Sequence, residues 1–311
     1  MSDISIVITA YNIERYIERA VSSALAQKYV DVEIIIVDDC STDNTWSLVS
    51  TMTHPRIRAI RLERNGGPSA ARNAGFAAAT TPWIAVLDGD DALEPERLYR
   101  MLTRVRDKKA DIVVDNLIVL RERDGMQYPL FAPRTFSRLG TISLAAFIDG
   151  NRFFLGERAY GYLKPMFSAD FLHQRGLSYN THFRMGEDYF LMLEALACGA
   201  ICAVEPTAGY RYTVRDNSVS RQQILPDFDQ LIACERTLLE RYVLNADTWH
   251  AQCRRESSLR EARHFCQLLN ALKARDIGST LKVIAADPPA ARHIWRPLWR
   301  AAMRWARRGR Y

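Results

Sequence analysis

No apolar run in this chain approaches the roughly 20 residues that cross a bilayer, which sets aside a helical membrane span. The start, Met1-Ser2-Asp3, has no basic stretch, and the apolar run after it is short and strand-like. That does not suit a secretory leader, so a cytosolic protein is expected. Cysteine pairing is also missing. Cys40, Cys198, Cys202, Cys234, Cys253 and Cys266 include no CxxC pair, and Gly199-Ala200-Ile201 supplies no ligand between Cys198 and Cys202. Free thiols are expected rather than disulfides or zinc. Glycine is absent where a dinucleotide site needs it. The first strand runs into Thr9-Ala10-Tyr11-Asn12, not GxGxxG, and no P-loop pattern occurs. Acid is absent from Arg292 onward, where seven arginines account for the net charge of +6. The remainder is close to neutral, so a nucleic-acid surface is not indicated.

What is present is an ordinary globular composition, 48% apolar and 25% charged over 311 residues, enough for one large domain or two smaller ones. Strand and helix patterns alternate. Residues 4–10, 32–38, 57–62, 83–87 and 111–120 read as strands. Residues 14–27, 68–79 and 94–108 read as helices, and Ser41-Thr42-Asp43 opens another. Such alternation predicts an α/β fold with a mostly parallel sheet covered by helices, and ligands at the carboxyl ends of its strands. Three strand ends then carry polar groups: Thr9, Tyr11 and Asn12; Asp38 and Asp39; Asp88, Asp90 and Asp91. The last of these follows the apolar run Trp83 to Leu87. Three carboxylates within four positions repel one another, and a divalent cation with oxygen ligands would offset that cost. A solvated acidic turn is the plainer alternative.

Four blocks in order resemble those of family 2 glycosyltransferases: Val7 to Asn12, Ile36 to Asp43, Asn65 to Asn73, and Leu87 to Asp91. Met185 to Phe190 is similar to the family's acidic catalytic motif, and the likeness extends to about Ser220. Within the family the chain is most similar to bacterial exopolysaccharide transferases of the succinoglycan-assembly type. The resemblance implies a GT-A fold, a nucleotide-diphosphate sugar as donor, favouring UDP, and an inverting transfer to a saccharide hydroxyl. It implies that Asp90 holds Mg²⁺ or Mn²⁺ against the diphosphate and that Asp88 faces the ribose or the sugar. Asp91 either supports the site or caps the following helix. Asp39 reads the base, with Thr9 and Tyr11 against uracil or ribose, while Asp38 points to the other face. Arg72 pairs with phosphate or with the acids, and Asn73 is a weaker candidate.

By the same resemblance Asp188 is the catalytic base and Glu187 contacts the acceptor or orients the site. By residue type alone, Gly186-Glu187-Asp188 is an ordinary acidic helix start. Arg215 stands where many relatives have histidine. Arginine is a poor metal ligand, so it is expected to neutralise the diphosphate directly. Lys164 stands where relatives carry a basic residue near the acceptor.

Residues 1–224 are expected to form the transferase domain, with a nucleotide half to about 120 and an acceptor half from about 121. Residues 225–311 are expected to be a helical extension, with helices over 228–242 and 257–274. Arg292, Arg296, Arg300, Arg304 and Arg308 recur every fourth position beside Trp295, Trp299 and Trp305. That stripe suits the anionic inner face of the cell membrane and a lipid-linked acceptor. A helix packed on the body, a dimer contact or a loose tail are the plainer readings. Two other functions fit parts of the pattern. A sugar-phosphate nucleotidyltransferase shares such a sheet, but Thr9-Ala10-Tyr11-Asn12 lacks the glycine-rich basic loop that class uses. A non-catalytic scaffold has no need of Asp90 and Asp188.

Overall fold

The structure, a computed structural model, describes residues 2–154, 159–182, 186–215, 227–291 and 293. The first half alternates as expected: β1 (Ile4–Ala10), α1 (Ile17–Leu25), β2 (Val32–Asp38), α2 (Thr45–Ser50) and β3 (Ile57–Arg61). Then come α3 (Gly67–Ala78), β4 (Trp83–Asp88), β5 (Ala92–Leu93), α4 (Arg97–Lys108) and β6 (Ile112–Arg121). Strands β1, β2 and β4 are buried on both faces and read as continuous apolar runs, while α1 buries Ile17, Ala20, Val21 and Ala24 at helical spacing.

Two of the helices that start later than their patterns suggest, α1 and α2, do so for a local reason. After β1 the Ile13 and Glu14 N–H groups donate to Thr45 Oγ1 and Asp43 Oδ2, so α1 begins only at Ile17. Ser41 and Thr42 are likewise committed, their N–H groups donating to Asp38 Oδ2 and Asn12 Oδ1. Helix α2 therefore waits until Thr45, whose N–H donates to Asp43.

The second half is less regular. It contains β7 (Met126–Pro129), α5 (Pro133–Phe136), β8 (Thr141–Ile142), α6 (Leu144–Asp149), β9 (Met166–Ser168) and α7 (Ala169–Arg175). Helix α8 (Glu187–Ala197) and β10 (Cys202–Val214) follow. The sheet runs β3-β2-β1-β4-β9-β6-β10-β5, with β7 on β6 and β8 on β10. Pairs β1/β2, β1/β4, β2/β3 and β6/β10 are parallel. The short β9 lies antiparallel between β4 and β6, so those two strands, neighbours in the sequence pattern, do not pair. This insertion puts the start of β9 beside the carboxyl end of β4.

Beyond residue 226 stand α9 (Phe228–Leu239), α10 (Ala246–Lys273), α11 (Ile277–Ala286) and α12 (Pro288–Ala291). Leu238 and Leu239 of α9 and Ala251 of α10 join the main core, and α10 packs along α6. The arginine and tryptophan stripe from Arg292, apart from His293, lies outside the described residues, as do Met185 and residues 216–220. No described helix is long and apolar enough to cross a membrane.

Candidate active site

The carboxyl ends of β1, β2 and β4 form one edge. The Gly89 N–H donates to the Thr9 carbonyl and the Asp39 N–H to the Ala10 carbonyl. Gly89 is required there, because a Cβ would sit 2.2 Å from Ile13 Cδ1 and 2.7 Å from the Thr9 oxygen. Asn12 and Cys40, just past β1 and β2, both adopt positive φ, at 51° and 61°. Strained backbone of this kind gathers at ligand edges.

The acids of the Asp88-Gly89-Asp90-Asp91 turn do not converge on one point. Each takes a different partner. Asp88 Oδ1 accepts from Arg72 Nη2 at 2.7 Å, and its Oδ2 lies 2.8 Å from Lys164 Nζ. Asp90 Oδ2 meets Arg215 Nη2 at 2.5 Å. Asp91, 1% exposed, accepts from Tyr210 Oη at 2.8 Å and the Thr213 N–H at 2.7 Å. It does not cap the next helix, which begins at Arg97. Instead it ties the turn to β10. The turn at Gly89-Asp90, with cations beside Asp88 and Asp90 and neutral donors on Asp91, separates the acids.

These partners set the acidities. Burial would raise the Asp88 carboxyl, but Lys164 and Arg72 outweigh it and hold it well below the usual carboxylate range. Asp90 is pushed up by burial and then by Asp88, with Arg215 opposing. Asp91 is pushed well up by burial, then by Asp90 and Asp88.

The acidic pair Glu187 and Asp188 arrives from 100 residues further on as the first two residues of α8. Arg72, 2% exposed on α3, reaches across to it: Nη1 lies 2.7 Å from Glu187 Oε1 and 3.3 Å from Asp188 Oδ1. Its guanidinium also lies 5.1 Å from the centre of the Tyr179 ring. Lys164 Nζ donates to Asp188 Oδ2 at 2.8 Å. Asp88 and Asp188 are therefore joined through two buried cations into one cluster. Glu187 is pushed up by burial and by Asp188, while Arg72 opposes.

Just past β2, Asp39 is 3% exposed, and its two carboxylate oxygens accept from the Gly66 and Gly67 N–H groups at 2.7 and 2.8 Å. It holds the start of α3 from a neighbouring strand. Asp38 is fully buried and lies 3.3 Å from Arg61. Thr9 is half-buried opposite Asp88 in the β1/β4 register, and Tyr11 is 47% exposed just beyond it. Asn73 lies away from this edge and exchanges two hydrogen bonds with the Tyr179 backbone. Arg215 sits 4.9 Å over the Tyr16 ring and lines a cavity of ≈ 480 Å³ with Asn12, Glu14, Arg123 and others.

Two important side chains take their roles only from tertiary contacts. Tyr210 accepts from the Asp88 N–H and donates to Asp91. Arg97, 1% exposed and paired with Asp115, donates to the Lys164 carbonyl at 2.6 Å. Only the position of β10 and β9 in the sheet reveals them.

The profile of "Glycosyl transferase family 2" matches residues 5–169. The chain is 46% identical over 296 residues to the succinoglycan biosynthesis protein ExoO of Rhizobium meliloti, covering 95% of this chain and 85% of that one. It is 36% identical to ExoU of the same organism, covering 86% and 80%. Among solved structures, the fold is similar to S. aureus TarS in complex with UDP-GlcNAc, with a TM-score of 0.67 at 18% identity over 93% of this chain and 81% of that one. TarS in complex with UDP gives a TM-score of 0.62 at 20% identity over 85% and 72%. A GT-A sheet with an acidic turn at its carboxyl edge, and relatives along nearly its whole length, place this chain in glycosyl transferase family 2.

Proposed function

We propose that the protein is an inverting, metal-dependent hexosyltransferase. It moves a sugar from a UDP-linked donor to a saccharide hydroxyl during assembly of an exopolysaccharide or other surface polysaccharide. The observation that carries this reading is the joining of Asp88, at the donor end, to Asp188, from far along the chain, through Arg72 and Lys164. Relatives named for succinoglycan biosynthesis support the pathway class, and TarS complexes with UDP and UDP-GlcNAc support the donor class. The nucleotidyltransferase alternative has no support in the family match.

Asp188 accepts the proton of the acceptor hydroxyl as its oxygen attacks the anomeric carbon. The new C–O bond forms while the bond to the diphosphate breaks, and the nucleoside diphosphate leaves with the electron pair. Attack from the face opposite the nucleotide inverts the configuration. Glu187, held by Arg72, faces the acceptor. Asp88 contacts the ribose or sugar, Arg215 the diphosphate, and Thr9 and Tyr11 the base or ribose. Asp39 accepts from a base N–H while holding Gly66 and Gly67.

Among the described residues, no group of three or more His, Cys, Asp or Glu is arranged to hold a metal ion. Asp90 fits the other way of binding Mg²⁺ or Mn²⁺, in which one carboxylate serves with the substrate's phosphates and waters. Burial and Asp88 leave its carboxylate seeking positive charge, which Arg215 supplies here. When bound, such an ion would neutralise charge developing on the departing diphosphate. The C-terminal basic stripe is proposed to hold the enzyme at an anionic membrane near a lipid-linked acceptor.

The test is a thermal-shift series with UDP, GDP and dTDP, with and without Mn²⁺, followed by transfer assays. UDP with Mn²⁺ should raise the melting temperature of the wild type, and Asp90→Ala should lose both that shift and turnover. Equal behaviour of the two proteins with every donor and acceptor removes Asp90 from the mechanism.

A further inference from the structure

We infer that Lys164 is the positioning residue for the base: its ammonium ties one oxygen of Asp188 to Asp88 and leaves the other oxygen to receive the acceptor's proton. This rests on the reading of Asp188 given above.

The backbone at Lys164 is fixed before the side chain acts. Lys164 and Pro165 lead into β9, which is antiparallel to β4 with Met166 opposite Ala85. The lysine therefore emerges beside the carboxyl end of β4, where Asp88 stands. Its carbonyl accepts from Arg97 Nη2 at 2.6 Å, and Arg97 is locked to Asp115 at 2.8 Å. The Pro165 carbonyl accepts from the Val86 N–H at 3.4 Å. A long flexible side chain leaves this anchored point and is only 8% exposed.

Its ammonium is equidistant, at 2.8 Å, from Asp88 Oδ2 and Asp188 Oδ2. Two of its three donors are used on the two acids. Asp188 Oδ1 is buried and has no hydrogen-bond partner, although Arg72 Nη1 lies 3.3 Å away. A buried carboxylate oxygen without a donor is costly unless something arrives to fill it. An acceptor hydroxyl is such a donor, and the lysine on Oδ2 fixes which way Oδ1 faces.

The charges agree with this role. Asp188 is faced by Lys164 from the start of β9, Arg72 from α3, Asp88 from β4, Glu187 on its own helix and Tyr179. Two cations meet three carboxylates, so the cluster is left with one negative charge, and one proton from the acceptor makes it neutral. Burial would lower the lysine's own proton affinity, but Asp188 and Asp88 push it well above the ordinary value, so it stays a cation throughout. Asp88 contacts the donor and Asp188 the acceptor. A rigid bridge between them sets the separation of nucleophile and anomeric carbon, on which such reactions depend steeply.

The test compares wild type with Lys164→Met in steady-state transfer, well below the melting temperature of each. Loss of the bridge should lower kcat about a hundredfold, the scale of a misplaced general base, with donor and acceptor KM within about threefold. Lys164→Gln, which keeps an N–H but no charge, replaces the methionine variant if the latter does not fold, and the same fall in kcat is expected. A folded neutral variant with wild-type kcat, or one whose loss lies in KM rather than kcat, overturns the inference while the transferase reading stands. Absence of any turnover by wild type overturns both.

Discussion

At the residue scale, the deciding feature is how cations distribute the acids. Asp88, Asp90 and Asp91 crowd within four positions, yet each has its own partner: Lys164 and Arg72, then Arg215, then Tyr210 with the Thr213 N–H. Asp88 gives a pH prediction with a definite sign. Its carboxyl is held below the ordinary value in the folded protein, against about 4 in the unfolded chain. The unfolded state takes up that proton first, so this group's stabilisation is complete above about pH 4 and is lost as the pH falls further. Urea unfolding of wild type and Asp88→Asn across pH should show their largest stability difference near neutrality and convergence in acid. A constant difference from neutral to acidic pH would mean the two cations do not favour the ionised form.

At the element scale, a buried ion pair inside the helical extension lies against α8. Arg255 of α10 lies 3.1 Å from Glu235 of α9, whose side chain is fully buried. The same guanidinium lies 4.8 Å from the centre of the Tyr189 ring, and Tyr189 follows Asp188 on α8. Removing one member of such a pair strands a charge, at a cost of about 3–5 kcal/mol, whereas replacing both with apolar residues costs far less. Arg255→Met should therefore destabilise more than the double change Arg255→Met with Glu235→Leu, measured by denaturant unfolding. Additive losses would show that the pair is not coupled. This helix also shows why its start was hard to read. The sequence pattern suggests residues 257–274, but α10 begins at Ala246, because its first turns bury Thr248, Gln252, Arg255 and Glu256. Polar side chains paired with Glu235 and Arg236 of α9 leave no apolar stripe to detect.

At the scale of the whole molecule, two halves of unlike regularity meet at one sheet edge. The tail beyond Arg292 gives the sequence its excess of positive charge. If that tail holds the enzyme to a membrane, full-length protein should float with vesicles containing anionic lipid at low salt and release as salt rises, while a chain ending at Ala291 should not float. Equal flotation of the two assigns the contact elsewhere. The sequence by itself determined the alternating first half, the acidic turn after β4 and the family. Local apolar periodicity and contiguous motifs need no knowledge of distant neighbours. Only the tertiary structure decided that β9 separates β4 from β6 and that Lys164 and Arg72 bridge Asp88 to Asp188. It also decided that Asp91 belongs to β10. Those contacts reach across as many as 122 positions, between Asp91 and Thr213, and they are set by strand order and burial, which no short window of sequence encodes.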